Sequence, residues 1–263
     1  MRRRVANVLR RIAHRISPLP AAKPPEPPPK PTPQEIKEAL IDNVFHSVKE
    51  FGLRPKHILD IGANCGDWTR HTLKHFPEAQ YTLLEPNPLM KNRIQNLLDS
   101  NPRVKLFSVG ASEQVGEFPF TITSRDDSCN FLLNAQQAAE LGLQQIPVPV
   151  VTIDGLLQQH SLPSPEIIKI DAEGLDLSVL KGAVNALQTC ELVFAEAAVM
   201  CKWKPAVFNN TVAALVAFMD TEGFTLFDIT DVNRTQVHGN LWLIELAFVR
   251  KDGRIDKSVD RMF

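Results

Sequence analysis

HILDIGANCGD, residues 57–67, decides the fold class. Residues 57–63 form a short apolar run bounded by loop residues, which marks a buried strand of a parallel sheet. Gly62 and Gly66 then allow a tight turn in which backbone N–H groups approach a ligand closely. A helix follows, and its N-terminus adds fixed partial positive charge. Such a turn suits a carboxylate, with Asn64 inside it. Asp60 is expected to attract a cationic end of the same ligand, directly or through water.

The next strand, 79–86, delivers Glu85 about 20 residues beyond the glycines, where an acid accepts both hydroxyls of a ribose. Asn87 beside it and Ala111, closing a third strand over 104–111, complete the expected cofactor contacts. The glycine spacing is G-x-x-x-G, so the G-x-G-x-x-G fingerprint of a pyrophosphate is missing. A nucleoside cofactor without a pyrophosphate fits this combination.

Strands and helices alternate outward from this point. Helices are expected at 34–52, 68–76, 88–99, 177–187 and 211–221, and further sheet strands at 166–172, 191–197, 224–230 and 241–250. Segments 117–123 and 147–153 read as accessory strands flanking an irregular insertion, about 112–150. The last two strands are joined by too few residues for a helical crossover and should run antiparallel. The expectation is an α/β, Rossmann-like sandwich. Its mostly parallel seven-stranded sheet ends in a C-terminal antiparallel hairpin, with helices on both faces.

Ahead of that body, residues 1–17 form a basic tail and 18–33 a proline-rich spacer, leaving 34–263 as the folded domain. In 2–16, Val5, Val8, Leu9, Ile12 and Ile16 recur at helical spacing among arginines. That pattern suits an amphipathic helix on an anionic membrane surface, a basic tail without order, or a transit peptide. Residues 1–33 hold eight Arg or Lys and one acid, so the rest carries −8 of a chain total of −1. An acidic body argues against nucleic acid as partner. Cys65, Cys129, Cys190 and Cys201 form no C-x-x-C pair or zinc spacing, and read as reduced thiols of a cytoplasmic protein. No apolar run approaches the length of a membrane span.

The loop residues 60–66 and the stretch Glu85-Pro86-Asn87-Pro88 resemble the first two cofactor motifs of class I methyltransferases. More specifically, IKIDAEGLDLSVLKGA, 168–183, resembles a block of the FkbM family of methyltransferases. Residues 151–154 and 245–250 also look like that family's pattern, and the resemblance covers roughly 55–250. It departs at Asp176, where the family more often has Glu, and at Gly155, where an acid is common. The resemblance implies S-adenosyl-L-methionine as cofactor and O-methylation of a hydroxyl on a sugar, glycan or related small molecule. An N- or C-methyltransferase, or a non-catalytic cofactor-binding protein, is the alternative.

An acceptor alcohol must lose its proton, which a nearby carboxylate can take. Asp171 and Glu173 end the fourth sheet strand, where ligands meet such sheets, and are the catalytic candidates; helix capping by Glu173-Gly174 is the structural alternative. Lys169 should pair with an acid. Two carboxylates so close can hold a divalent cation, but no further ligand cluster accompanies them, so no metal is assigned. Glu196, the 201–204 loop with Trp203, His238 and Asn240 are weaker candidates for the acceptor pocket. Asp126, Asp127, Ser128 and Asn130 fall in the insertion as a candidate lid. His46, His57 and His71 read as satisfied or exposed histidines.

Overall fold

The computed structural model describes residues 32–125, 129–199 and 209–262. The basic tail, most of the proline-rich spacer, Asp126 to Ser128 and the 201–204 loop lie outside them.

Helix α1 (Pro33–Glu50) precedes β1 (His57–Ile61), α2 (Asp67–Leu73), β2 (Gln80–Leu84), α3 (Lys91–Ser100) and β3 (Val104–Phe107). Then come β4 (Gly110–Ala111), β5 (Gly116–Ile122), α4 (Ala135–Glu140), β6 (Gln144–Val151) and α5 (Ile153–Gln159). The chain continues through β7 (Ile167–Ile170), α6 (Asp176–Lys181), α7 (Val184–Leu187), β8 (Leu192–Ala198), α8 (Val212–Thr221), β9 (Phe224–Arg234) and β10 (Leu241–Arg250). Seven strands form one sheet in the order β3-β2-β1-β7-β8-β10-β9. β1, β2, β3, β7 and β8 pair in parallel, whereas β10 is antiparallel to both neighbours. The mostly parallel sheet and its antiparallel C-terminal hairpin are those expected from the sequence.

The central strands are buried on both faces, and their alternate residues feed two cores. Leu59, Ile61, Ile168, Ile170, Val193 and Leu215 pack on one side. Ile58, Tyr81, Leu83, Ile167 and Phe194 pack on the other, beneath α1 and α2. α1 buries Ile41, Val44, Phe45 and Val48, an i, i+3, i+4, i+7 stripe. Phe45 stands edge-on to Trp68, Phe76 and Phe194, which seats α1 against α2 and the sheet.

Three local expectations need correction. The expected strand 104–111 splits, because Gly110–Ala111 leaves the main sheet to pair with β6 in a small sheet ordered β4-β6-β5. The described part of the insertion thus forms regular elements, and its α4 opens with a capping box from Asn134 and Gln137. Residue 153 does not end a strand: Thr152 accepts from Gly155 N–H and starts α5. The expected helix 177–187 breaks at Gly182, where a Cβ would lie 2.4 Å from Ser112 O.

Candidate active site

The β1–α2 loop runs through three left-handed residues, Gly62, Asn64 and Gly66. Gly62 is forced by close approach as well as by φ, since a Cβ there would fall 1.9 Å from the carbonyl oxygen of Asp171. The Gly62 and Ala63 N–H groups both donate to Leu84 O, and Asp171 N–H donates to Ile61 O. The ends of β1, β2 and β7 are thus laced together before any side chain contributes.

Glu85 completes that lacing. Its Oε2 accepts from Asn64 N–H and its Oε1 from Asn87 N–H, both at 2.7 Å. Burial pushes its carboxyl up to about 6, against the pull of those two amides. Each oxygen keeps a second acceptor position beside a cavity. Gly62, Asn64, Glu85, Ala111, Asp171 and Glu173 line it. Leu84, Phe120 and Phe131 give it apolar walls, the last two from the insertion, and Asn130 joins them.

The remaining expected cofactor residues stand elsewhere. Asp60 is fully buried beneath the loop, where it accepts from Thr69 Oγ1 at 2.5 Å and lies 3.4 Å from Lys169 Nζ. Gly66 lies outside the cavity, and a Cβ there would meet the Leu97 side chain of α3 at 3.2 Å. Asn87 is buried and caps the short 3₁₀ turn Pro88–Met90 by accepting from Leu89 N–H. The glycine loop nominated Asp60 and Gly66, and the end of β2 nominated Asn87; none of the three lines the cavity.

Lys169 does pair with acids. β1–β7 register sets it opposite Asp60, and its Nζ lies 3.5 Å from Asp171 Oδ2 while donating to Gly62 O at 3.2 Å. Burial works against its charge, but Asp171, Asp60 and Glu245 outweigh it and hold the ammonium above the usual lysine range. Asp171 is partly exposed, and with Gly62 and Asn64 it lines both the cavity and a broader adjoining groove. Lys37, Arg70, Lys74 and Arg93 give that groove a cationic wall.

A second polar group went unread in the sequence. Asp176 is fully buried and accepts from Glu196 N–H and from Asn210 Nδ2. Asn210 in turn accepts from Leu177 N–H and donates to Glu196 O, tying β8 to the start of α6. Burial, then the charge of Asp171, pushes Asp176 up to about 7. Glu196 is raised well above the usual carboxylate range by burial and by Asp171, Asp176 and Glu173. Across β8, β10 and β9 the register aligns Glu196, Glu245 and Asp231 in a row. Lys37 of α1 meets this row at Asp231, 2.8 Å away.

Other candidates lie away from this centre. His238 and Asn240 are exposed in the β9–β10 hairpin and line neither space. His57 is satisfied by Pro163 O and Thr82 Oγ1, and His46 is exposed beside Glu50.

The profile of the methyltransferase FkbM domain matches residues 60–226, from Asp60 in β1 to β9. The chain belongs to the FkbM methyltransferase family. Hexuronic acid methyltransferase AglP of Haloferax volcanii is 26% identical to this FkbM protein over 138 residues, 52% of this chain and 54% of the relative. 2-O-methyltransferase NoeI of Sinorhizobium fredii is 28% identical over 150 residues, 53% and 62% of the two lengths. The matches thus span less than two thirds of either relative. The crystal structure of a methyltransferase FkbM from Methylobacillus flagellatus superposes with a TM-score of 0.47 at 18% identity, covering 73% of this chain and 43% of that one. Among the described residues, no helix is long and apolar enough to cross a membrane.

Proposed function

We propose that this FkbM methyltransferase methylates a hydroxyl of a sugar, glycan or related small-molecule acceptor, with Asp171 as the group that orients the hydroxyl and takes its proton. The position of Asp171 on the wall common to the cavity and the cationic groove carries this reading. The names of the two curated relatives, a hexuronic acid methyltransferase and a 2-O-methyltransferase, support the acceptor class.

The residues of the cavity fit the cofactor. Glu85 offers two carboxylate oxygens to a ribose diol, Leu84, Ala111 and Phe131 offer apolar surface to a base, and the Gly62–Asn64 backbone leaves room beside them. When bound, S-adenosylmethionine supplies an electrophilic methyl group on a sulfonium. Catalysis by the protein is then mostly positioning of the acceptor oxygen, aided by a base for its proton. Lys169 holds the Asp171 carboxylate from behind, and Glu173 closes the same wall.

Calorimetric titration with S-adenosylmethionine, combined with transfer of labelled methyl to a panel of sugars and uronic acids, tests the reading. Asp171→Asn should lower transfer by about 100-fold, within the usual range for a lost general base, while leaving cofactor affinity within about threefold. Equal turnover by Asp171→Asn, or methyl acceptance confined to amines, would remove the assignment.

Glu85 gives a pH prediction. Its raised carboxyl is protonated below about 6 and must then lose a proton to accept both hydroxyls. Affinity for S-adenosylmethionine should therefore be level above pH 7 and fall by about tenfold per pH unit below 6. Glu85→Gln should bind about 10- to 100-fold more weakly at pH 7.5, as loss of charged hydrogen bonds implies, and lose that pH dependence. A flat profile in the wild type would mean that Glu85 does not meet the cofactor as an anion.

A further inference from the structure

The sequence showed no metal cluster, but folding brings one together where α1 crosses the end of α2. Asp42 Oδ1 lies 2.7 Å from Nε2 of both His71 and His75. The two histidines are four residues apart, hence on one face of the α2 turn. Glu38, one turn before Asp42, sets its Oε2 3.8 Å from the other ring nitrogen of His71, Nδ1. The His71 side chain is 10% exposed and its Nδ1 is buried without a hydrogen-bond partner.

Proton placement makes this arrangement informative. A neutral imidazole carries one N–H, and the contact with Asp42 uses it on Nε2. His71 Nδ1 is then a bare lone pair, buried and facing the Glu38 carboxylate, so two acceptors confront each other. A second proton on the His71 ring, or a single cation in place of the two Nε2 protons, resolves the conflict. With the cation, both Nε2 lone pairs become ligands and each ring proton moves to Nδ1. In His71 that proton points toward Glu38, which is the carboxylate–histidine–metal pairing that fixes ligand tautomers in metal sites.

We propose that Asp42, His71 and His75 form a binding site for a divalent first-row transition ion of the zinc type, with Glu38 orienting His71. One ligand atom from each of the three residues lies within 4.8 Å of the others. A tetrahedral ion at about 2.0–2.1 Å from each needs ligand spacings of roughly 3.3 Å, so Asp42, now 2.7 Å from both rings, would draw back by about half an ångström to admit it. Two imidazoles and a carboxylate select such an ion over magnesium or calcium, which take oxygen ligands. Asp42 is half-exposed, so the fourth position opens to water. The ion would clip α1, whose Lys37 reaches the acceptor groove, to the helix that follows the cofactor loop.

The test uses the full chain, freed of metal by a chelator and dialysed, then titrated with Zn²⁺ by calorimetry and with Co²⁺ by visible absorption. One ion per chain is expected, with tetrahedral cobalt bands and a rise in the melting midpoint that Mg²⁺ does not produce. His75→Ala should abolish the cobalt bands, and Glu38→Gln should weaken Zn²⁺ by at least about tenfold, as loss of such an orienting partner does. Circular dichroism and S-adenosylmethionine binding of both variants establish that they are folded. No Zn²⁺ binding to the wild type overturns the proposal, and so does binding that survives His75→Ala, which would put the ion elsewhere.

Discussion

Gly62→Ala is expected to destabilise the protein by about 2–5 kcal/mol and to leave little soluble protein at 37 °C. The new Cβ would meet Asp171 O at 1.9 Å, with a backbone φ of +73°. Both partners are main chain, so no rotamer change relieves the contact, and the strands carrying them, β1 and β7, are paired neighbours in the middle of the sheet. A left-handed non-glycine residue costs roughly 1–2 kcal/mol, and overpacking a tight site adds about 1–3 kcal/mol. That is a large part of a typical margin of about 5–15 kcal/mol. Gly142→Ala is the control, since its φ is +66° but nothing lies within 4 Å of a Cβ. It should cost about 1 kcal/mol. Urea unfolding of the two variants side by side makes the comparison, and equal losses would mean that the close approach of β1 and β7 is not what demands glycine.

Lys169→Met is expected to cost about 3–5 kcal/mol, because it strands a buried anion. Asp60 has no exposed surface, and without the ammonium its charge keeps only the Thr69 hydroxyl. The double variant Asp60→Asn, Lys169→Met should recover much of the loss. An amide oxygen still accepts from Thr69, and no charge is left unpaired within that pair. Denaturation at pH 7.5 of the wild type, Lys169→Met, Asp60→Asn and the double variant gives the coupling directly. Lys169→Met within about 1 kcal/mol of the wild type would show that Asp60 is not held as an anion by Lys169, given the usual cost of a broken buried pair. The same substitution also removes the cation behind Asp171, so methyl transfer should fall even in the fraction that folds.

These two sites differ in how far the sequence discloses them. The apolar runs of β1 and β7, the glycine loop and Glu85 are legible because they are local patterns whose spacing is fixed by one turn or one strand. Asp171 is legible because strand ends face ligands in such sheets. The Asp176–Asn210–Glu196 group is not, since its members are brought together by the packing of α6 against β8, 34 residues of chain apart at the widest. Asp42 and His71 are hidden for the same reason, 29 residues apart until α1 crosses α2. Asp60, Gly66 and Asn87 stand at motif positions but do not line the cavity, and side-chain direction is something that spacing does not encode. The start of α5 was missed because a single capping threonine, Thr152, converts a β-branched run into a helix within one residue.

The strand order has a consequence for synthesis. β10 is made after β8 and β9, yet it lies between them in the sheet. Until it emerges from the ribosome, β8 presents one unpaired edge and β9 has no neighbour at all. Nascent chains stalled before Leu241 therefore expose strand edges that invite wrong pairing. Delays in synthesis between β9 and β10 will lower yield more than equal delays after β3, whose partner β2 is made before it.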